Sequence, residues 1–447
     1  MAVFIPFTAP GDRIEAVLVE KRDRFARAKL IRILEPGPGR IIPPCPYHFR
    51  TAVEGTPEQT LHAPRFALHT PPPFCGGCSL QHLTYDQQLK NKRALVQETL
   101  ERLGGLKGID VRPVLGMKDP WRYRNKVQQP VGWSPSRKQL ISGFYQAGSH
   151  AILPIDDCLI QSDLSVKLVN RAKALLGQYK IPAYDEARHS GWIRHLLVRT
   201  NSAGQALLVF VTRTPEFFKE REIVTTLLNE FPALIGVHQN VQPARSNVIL
   251  GRTWRSIAGA NFMEEQLGAL RFRLSAGSFF QVNTAQAQVL YDTVKTMAGS
   301  GRRLLDLYTG VGTIALWLAE RFSEVAGIEE NPTAIEDAEA NAELNGIENA
   351  RFLAEPTENF LRELDPHAGG KELTIVVDPP RAGCEPQVLD AITQLRPGRM
   401  VYVSCDPATL ARDLKFLTQQ GYRLEDIQPV DLFPHTPHIE TAVKLSI

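Results

Sequence analysis

The sequence lacks the long apolar segments that mark membrane and secreted proteins. No uncharged apolar run approaches the roughly 18–20 residues that a membrane span requires. The first residues, MAVFIPFTAPGDRIEAV, have no basic start before their apolar part, which argues against a secretory signal. Cysteine is scarce as well, with 6 in 447 residues. We therefore expect a cytoplasmic protein without a membrane partner, whose cysteines bind a metal or act in catalysis rather than form disulfides.

A large net charge is also missing, since the sum is only +3, but the charge is unevenly distributed. Residues 1–150 carry 22 lysine and arginine residues against 12 acidic ones, whereas residues 151–447 carry 29 against 36. The first third is therefore the part that would attract a polyanion. A chain of this length exceeds one ordinary core and predicts two or three domains.

Hydrophobic periodicity predicts a β-rich start, a mixed middle and an α/β end. Strands are expected at Arg13–Val19 and Phe25–Leu34, and proline and glycine throughout 35–74 predict an irregular segment. A capping box at Thr84 begins a helix that ends near Gly104. The middle alternates strands with one clear helix, and one of the expected strands is Ser246–Leu250. From Leu304 the pattern becomes β-α-β, which indicates a doubly wound parallel sheet with a ligand site at its carboxyl edge.

The segment DLYTGVGT (306–313) is a strand that enters a glycine turn and then a helix. Gly310 and Gly312 let the backbone approach a ligand, and Glu329, at the end of the next strand, suits a ribose diol. The turn therefore suits a cofactor built on a nucleoside. The glycines also satisfy the loose dinucleotide fingerprint, so a nicotinamide dinucleotide is one of the two nucleotide-type cofactors that fit. A turn without any ligand is the plainer alternative.

Three further residues follow predicted strands or precede one. Asp378, in VVDPPR, stands where a strand ends, and the prolines after it suit a rigid wall beside a flat base. Cys405 follows the apolar strand VYVS and is a candidate nucleophile, whose thiolate the N-terminus of a helix near Thr409–Leu414 would favour. Glu440 lies just before the last strand and is a candidate general base. Taken singly, the alternatives are a helix cap, a buried small side chain and a solvated glutamate.

The remaining cysteines suggest a metal site. Cys75 and Cys78 form a CxxC pair, with Cys45 upstream and Cys158 downstream. Four thiols without a histidine at ligand spacing favour an iron–sulfur cluster or an all-thiolate zinc site. Cys384 is interpreted as structural.

Taken together, these motifs resemble the family of RNA (uracil-5-)methyltransferases, and within it the iron–sulfur branch that modifies 23S ribosomal RNA. Further segments similar to that family are CGGCSLQH (75–82), YRNK (123–126), GFY and SH (143–145 and 149–150), and SFFQVN (278–283). In this chain Cys45 stands thirty residues before Cys75, whereas the family usually places the first cluster cysteine a few residues before the pair.

The resemblance implies specific roles. Cys405 would add to carbon 6 of uracil and Glu440 would remove the carbon 5 proton. Four cysteines fall on [4Fe–4S] ligand positions, namely Cys45, Cys75, Cys78 and Cys158. The S-adenosylmethionine contacts would be made by Gln281, Tyr308, Gly310, Gly312, Glu329 and Asp378, of which Asp378 could equally touch the target base.

The resemblance also implies three parts and a substrate. Residues 1–40 would form a partial TRAM/OB-like RNA-binding segment, 41–270 a central α+β iron–sulfur domain, and 271–447 a Rossmann-like methyltransferase domain. The expected partner is 23S rRNA, with tRNA as the alternative, and we expect a monomer. A cluster-bearing nicotinamide oxidoreductase and a non-catalytic RNA-binding protein are the remaining hypotheses.

Overall fold

Three β-sheets and one separate hairpin organise the residues that the computed structural model describes, which are 1–50, 73–364 and 369–447. Residues 51–72 of the predicted irregular segment lie outside this part. No helix in the described ranges combines the length and hydrophobicity of a membrane span.

The N-terminal sheet has the order β1-β3-β2, with β1 at Ala2–Phe4, β2 at Arg13–Lys21 and β3 at Phe25–Glu35. Both predicted strands are confirmed. β2 runs antiparallel to β3, and the short β1 runs parallel to it. Alternate residues of β3, such as Ala26 and Ala28, are buried, as expected for a sheet with one covered face. The described residues form this three-stranded sheet here, and a complete barrel stays a prediction.

Helix α1 spans Tyr85–Arg102 and begins as predicted, with the Thr84 hydroxyl accepting a hydrogen bond from the Gln87 amide at 3.4 Å. Its apolar residues Val96 and Leu100 are buried in the same hydrophobic cluster as parts of the C-terminal sheet. Two polar residues of this helix, Gln88 and Lys92, are buried as well. The C-terminal half of the helix therefore packs on the C-terminal domain through apolar side chains, whereas its N-terminal half buries polar ones.

The central sheet has seven strands in the order β10-β9-β8-β7-β4-β5-β6 and is antiparallel except for the pair β8–β9. Its elements are β4 Lys126–Ser134, β5 Gln139–Tyr145, β6 Ile152–Pro154, α2 Asp163–Gln178, β7 Ile193–Thr200, β8 Ala206–Thr212, α3 Glu220–Glu230, β9 Leu234–Val241 and β10 Thr253–Gly259.

The predicted strand Ser246–Leu250 is wrong. Carbonyl groups of this segment accept hydrogen bonds from the side chains of Arg194 and Gln242 instead of from a neighbouring strand. The side chains of Arg194 and Gln242 thus take the place of the backbone hydrogen bonds that a neighbouring strand would supply. The apolar pattern of the segment does not reveal this.

The C-terminal sheet has the order β15-β14-β13-β16-β17-β19-β18 and confirms the predicted doubly wound topology. Its neighbours are parallel except β19, which is antiparallel to β17 and β18. The elements are the hairpin β11 Phe262–Leu267 and β12 Leu270–Ser275, followed by α4 Thr284–Ala298, β13 Gly301–Leu307, α5 Thr313–Leu318, β14 Phe322–Glu329, α6 Pro332–Leu344, β15 Ala350–Ala354, α7 Thr357–Glu363, β16 Leu373–Val377, α8 Pro386–Leu395, β17 Arg399–Ser404, α9 Pro407–Gln419, β18 Arg423–Val430 and β19 Glu440–Ser446.

The strand order reverses at β13, which has β14 on one side and β16 on the other. Ligands of open α/β sheets bind outside the carboxyl ends of the strands at such a reversal. Hydrophobic clusters cover both faces of the sheet, and the cluster that contains α4 also includes Leu197 and Leu207 of the central sheet. The fold therefore packs the α4 face of the C-terminal sheet against the central sheet.

Candidate active site and cysteine site

The glycine turn after β13 has a backbone that favours glycine. Gly310 and Gly312 have φ angles of +55° and +79°, and Tyr308 adopts +66° despite its side chain. A Cβ atom on Gly310 would meet nothing within 4 Å, whereas one on Gly312 would lie 3.0 Å from the Phe352 ring. Gly312 is thus required by packing, and Gly310 borders open space in which a ligand can approach the backbone.

Asp306 holds this turn in place. Its carboxylate accepts hydrogen bonds from the Thr309 hydroxyl at 2.5 Å and from the Ala315 amide at 2.9 Å, while its other oxygen has no partner among the described residues. Burial raises the pKa of Asp306 to about 7. The sequence contains this residue within the motif, but no role was predicted for it.

Glu329 lies beside the turn, as predicted. One of its oxygens accepts a hydrogen bond from the Gly310 amide at 3.3 Å, and the other from the Asn331 amide at 3.0 Å. Gln281 is buried before α4, and its carbonyl accepts a hydrogen bond from the Asn125 side chain at 3.0 Å. The central domain thereby fixes one wall of the candidate cofactor cleft.

Asp378, Cys405 and Glu440 converge because their three strands are neighbours. Asp378 follows β16 and Cys405 follows β17, which pairs with both β16 and β19. In the β17–β19 register Ser404 lies opposite Thr441, so Cys405 and Glu440 are the next residues at the same edge. With the exposed Arg381 of the loop after β16, these residues are called the strand-end site below.

The carboxyl groups of the strand-end site affect one another's protonation. Burial, followed by the charge of Asp378, raises the pKa of Glu440 well above its usual range, while Arg381 opposes the shift. Burial and the neighbouring Asp306 raise the pKa of Asp378 to about 7. Together with Glu329, which raises the pKa of Asp306, these groups form a row of interacting carboxyl groups along the sheet edge.

Burial, Glu440 and Asp378 raise the pKa of Cys405 to about 11, and Arg381 lowers it. The prediction that a helix N-terminus favours the thiolate stays a prediction. Helix α9 does begin directly after Cys405, but the Asp406 carboxylate accepts hydrogen bonds from the Ala408 and Thr409 amides. The Asp406 side chain thus occupies those amides, while burial and the adjacent carboxyl groups raise the pKa of the Cys405 thiol.

The four remaining predicted ligands lie in one neighbourhood, called the cysteine site: Cys45, Cys75, Cys78 and Cys158. Their thiols interact electrostatically, since Cys45 and Cys158 each raise the pKa of both members of the CxxC pair after burial has done so. The two segments that carry Cys45 and Cys75 are joined by a hydrogen bond of 2.8 Å from the Cys75 amide to the Tyr47 carbonyl. All six cysteines of the chain carry free thiols.

Hydrogen-bond donors surround these sulfurs. The Gly77 amide donates to Cys75 Sγ at 3.3 Å, and backbone amides likewise lower the pKa of Cys45 and Cys158. The Gln81 side chain forms a hydrogen bond with the Cys78 thiol. Its Oε1 also accepts a hydrogen bond from the Cys45 amide at 3.2 Å. Within the described ranges no three or more histidine, cysteine or acidic side chains are grouped so as to hold a metal ion. The metal site therefore stays a prediction.

Sequence reasoning did not assign a role to Arg381, although DPPR contains it. Arg381 affects Cys405 and Glu440 because the loop after β16 turns back toward the end of β17. There, the Arg381 carbonyl accepts a hydrogen bond from the Thr409 hydroxyl at 3.3 Å. Such a contact has no signature in the local sequence.

Comparisons with known proteins agree with this architecture. Residues 259–447 match the family model described as tRNA (Uracil-5-)-methyltransferase. Proteins described as uncharacterized RNA methyltransferases from Halalkalibacterium halodurans and Bacillus cereus are both 38% identical to the chain, over 449 and 447 residues. The alignments cover 100% and 99% of this chain and 92% and 91% of the relatives.

Among solved structures, the Pyrococcus abyssi tRNA (uracil-54, C5)-methyltransferase in complex with S-adenosyl-L-homocysteine superposes with a TM-score of 0.75 at 28% identity. The match covers 99% of this chain and 95% of that one. The glycine turn and the converging strand ends thus occur in a chain similar to these proteins along its whole length. The protein belongs to the RNA (uracil-5-)-methyltransferase family.

Proposed function

We propose that the protein transfers a methyl group from S-adenosylmethionine to carbon 5 of a uridine in RNA, with Cys405 as nucleophile and Glu440 as general base. The observation that carries this proposal is the convergence of these two side chains at adjacent positions of paired strands. Carbon 5 of uracil is a poor nucleophile until carbon 6 is covalently saturated. A thiol and a carboxyl group at one edge supply both of the groups that this chemistry needs.

The cleft fits the proposed cofactor. S-adenosylmethionine, when bound, supplies an electrophilic methyl group on a cationic sulfonium. Glu329 suits the ribose hydroxyls, the open face of Gly310 admits the ligand to the backbone, and Gln281, Tyr308 and Gly312 complete the walls. A sulfonium beside the carboxyl groups from Glu329 to Glu440 would stabilise their ionised forms, whereas a pyrophosphate would destabilise them. This argues against the nicotinamide alternative, and the Pyrococcus relative was crystallised with the demethylated cofactor.

The residues of the strand-end site supply the nucleophile and the proton acceptors of the proposed reaction. Cys405 loses its proton to the Asp378 carboxylate, and its sulfur forms a bond to carbon 6 while the double-bond electrons move toward oxygen 4. The enolate electrons then form the bond from carbon 5 to the methyl carbon, the bond from that carbon to the sulfonium sulfur breaks, and S-adenosylhomocysteine leaves with the electron pair. Glu440 takes the carbon 5 proton, the sulfur–carbon bond breaks, and the double bond re-forms with release of the thiolate. Arg381 favours the thiolate that this sequence requires.

The target uridine has to leave its base stack to reach Cys405, which favours loop nucleotides. The resemblance to the iron–sulfur branch supports 23S rRNA as substrate. The Pyrococcus relative, which acts on uracil 54 of tRNA, supports tRNA as the second candidate. Mapping 5-methyluridine in both RNAs of a deletion strain distinguishes them, because only the true substrate loses the modification.

We also propose that the cysteine site holds a [4Fe–4S] cluster. Four thiols with N–H donors directed at their sulfurs fit such a cluster, because hydrogen bonds to the sulfurs stabilise the ligands and tune the potential. A four-iron cluster separates its cysteine sulfurs more widely than a single metal ion does, so the absence of a single-ion grouping in the described ranges is compatible with it.

The decisive experiment is Glu440→Gln. If Glu440 removes the carbon 5 proton, the variant should still add Cys405 to the base and accept the methyl group, and then stall. General-base catalysis contributes about 10²–10⁴ in rate, so a methylated covalent protein–RNA complex should survive denaturing electrophoresis. The double variant with Cys405→Ala should form none. Normal turnover by Glu440→Gln, or a stall without a covalent complex, would contradict the proposal.

A further inference from the structure

Glu440 is positioned by a loop whose shape depends on residues remote from the reaction. Residues 431–439 connect β18 to β19, and Glu440 is the first residue of β19, opposite Val430. A displaced loop would therefore shift Glu440 along or out of its strand. The contacts of this loop decide where the carboxylate lies relative to Cys405.

His435 makes hydrogen bonds through its ring, its amide and its carbonyl. It is buried, and its φ angle of +68° lies in the left-handed region, where histidine, asparagine and aspartate are enriched among the residues other than glycine. Its Nε2 lies 3.1 Å from the Pro120 carbonyl, which requires a proton on that nitrogen, so Nδ1 accepts from the Gln88 amide at 3.2 Å. Its ring stacks on Trp121 with centroids 3.8 Å apart.

Helix α1 presents one polar face to this loop. Tyr85, Gln88 and Lys92 lie three and four residues apart, which places them on the same side of a helix. The Tyr85 hydroxyl and the Lys92 amine donate to Asp431 at 2.9 and 2.6 Å. Gln88 bonds His435 twice, since its carbonyl oxygen also accepts the His435 amide at 2.9 Å. These buried polar residues in an otherwise amphipathic helix are explained by the loop that they hold.

The same loop is hydrogen-bonded to the segment that follows Cys78 of the cysteine site. The amides of Ser79 and Leu80, which follow Cys78, both donate to the His435 carbonyl, at 3.1 and 3.0 Å. His435 therefore joins the cysteine segment, helix α1 and the loop that ends at Glu440. Its ring, amide and carbonyl are all engaged.

From these contacts we propose that His435, held by Gln88, is a positioning residue for the carboxylate of Glu440. It touches neither the base nor the cofactor and acts through the loop. The inference rests on the proposed general-base role of Glu440. Loosening His435 should slow proton removal from carbon 5 more than it slows the earlier addition and methyl transfer, because Cys405 and the cofactor cleft are supported by other strands.

The test uses His435→Asn, since asparagine tolerates the left-handed backbone but lacks the ring that reaches Pro120 and Trp121. Misplacement of a catalytic group by about 1 Å costs roughly 10²-fold in rate, so we expect turnover to fall by about 10–10²-fold. During turnover the methylated covalent complex should accumulate, which a general loss of structure would not cause. Gln88→Leu, which removes both bonds to His435 while filling the space, should behave in the same way.

His189→Asn is the matched control. His189 has a similar backbone, with φ of +50°, and bonds to the Tyr184 hydroxyl at 2.8 Å, within the central domain. It should turn over normally and accumulate no covalent complex. If Glu440→Gln forms the complex but folded His435→Asn and Gln88→Leu do not accumulate it, the positioning role is wrong and the proposed function stands. If Glu440→Gln forms none, the general-base role itself fails.

Discussion

The strand-end site and the cysteine site both contain buried or half-buried thiols, yet their surroundings differ. Cys405 has carboxyl groups and one cation as neighbours, whereas each thiol of the cysteine site has other thiols and N–H donors. Burial raises the pKa in both places. The first arrangement places proton acceptors beside the one thiol that we propose as nucleophile, and the second brings together four thiols that would have to lose their protons to bind a metal centre. The comparison teaches that the neighbours of a thiol, rather than its burial, distinguish a nucleophile from a ligand.

The largest effect is expected from Cys405→Ala. Methyl transfer should fall below detection because no group remains to saturate carbon 6, while RNA affinity should stay roughly intact because phosphate contacts dominate it. Tritium release from RNA labelled at uridine carbon 5, together with a filter-binding assay, measures both quantities. Near-normal tritium release would show that Cys405 is not the nucleophile. The carboxyl groups around a thiol would then not distinguish a nucleophile from a ligand.

Cysteine-to-serine substitutions at the cysteine site should eliminate most of its iron. Anaerobically purified protein should be brown, and Cys45→Ser or Cys158→Ser should lose the broad visible absorbance. Cys384→Ser, which alters a buried thiol in the C-terminal core, should retain it. Elemental analysis provides the check: zinc in place of iron would contradict the cluster, and full iron in Cys45→Ser would remove that residue from the ligands.

Neutralising Arg381 should shift the reactivity of Cys405 to higher pH. The Arg381 cation lowers the pKa of this thiol, so Arg381→Met raises it further, and less thiolate is present at any pH below the raised pKa. Alkylation of the Cys405 peptide at pH 8, followed by mass spectrometry, should therefore slow several-fold. Arg381→Lys preserves the charge and should lie closer to the parent protein. An unchanged pH profile in Arg381→Met would show that the guanidinium does not act on the thiol.

The smallest effect is expected at the glycine turn, where Gly310→Ala and Gly346→Ala form a matched pair. Both glycines have positive φ angles, +55° and +63°, and neither has an atom within 4 Å of the new Cβ. Each alanine should reduce stability by about 1–2 kcal/mol, the usual cost of a left-handed backbone, as thermal unfolding measures. Only Gly310→Ala should weaken S-adenosylmethionine binding in calorimetry. Equal affinities would mean that the ligand does not approach Gly310.

The sequence predicted the strand-end site more fully than the cysteine site. Asp378 and Cys405 each follow an apolar strand, and parallel strands bring their carboxyl ends to one edge, so their proximity follows from topology. Glu440 was a candidate general base from its place before the last strand, with a solvated glutamate as the alternative, and the resemblance favoured the catalytic role. Its position depends on an antiparallel strand that a local pattern does not assign to a neighbour. The CxxC pair was visible in the sequence, but the approach of Cys45 and Cys158 requires loops from distant parts of the chain.

The sequence by itself determined the glycine turn and the strands that precede Asp378 and Cys405, because these depend on local periodicity and on glycine at positive φ. Only the tertiary structure decided the direction in which the pKa of the Cys405 thiol shifts, since helix α9 is capped by Asp406 and the carboxyl groups of Asp378 and Glu440 lie near Cys405. It also decided that helix α1 uses Gln88 to hold His435, 347 residues away. Such contacts depend on the packing of whole domains, and no short segment of sequence encodes them.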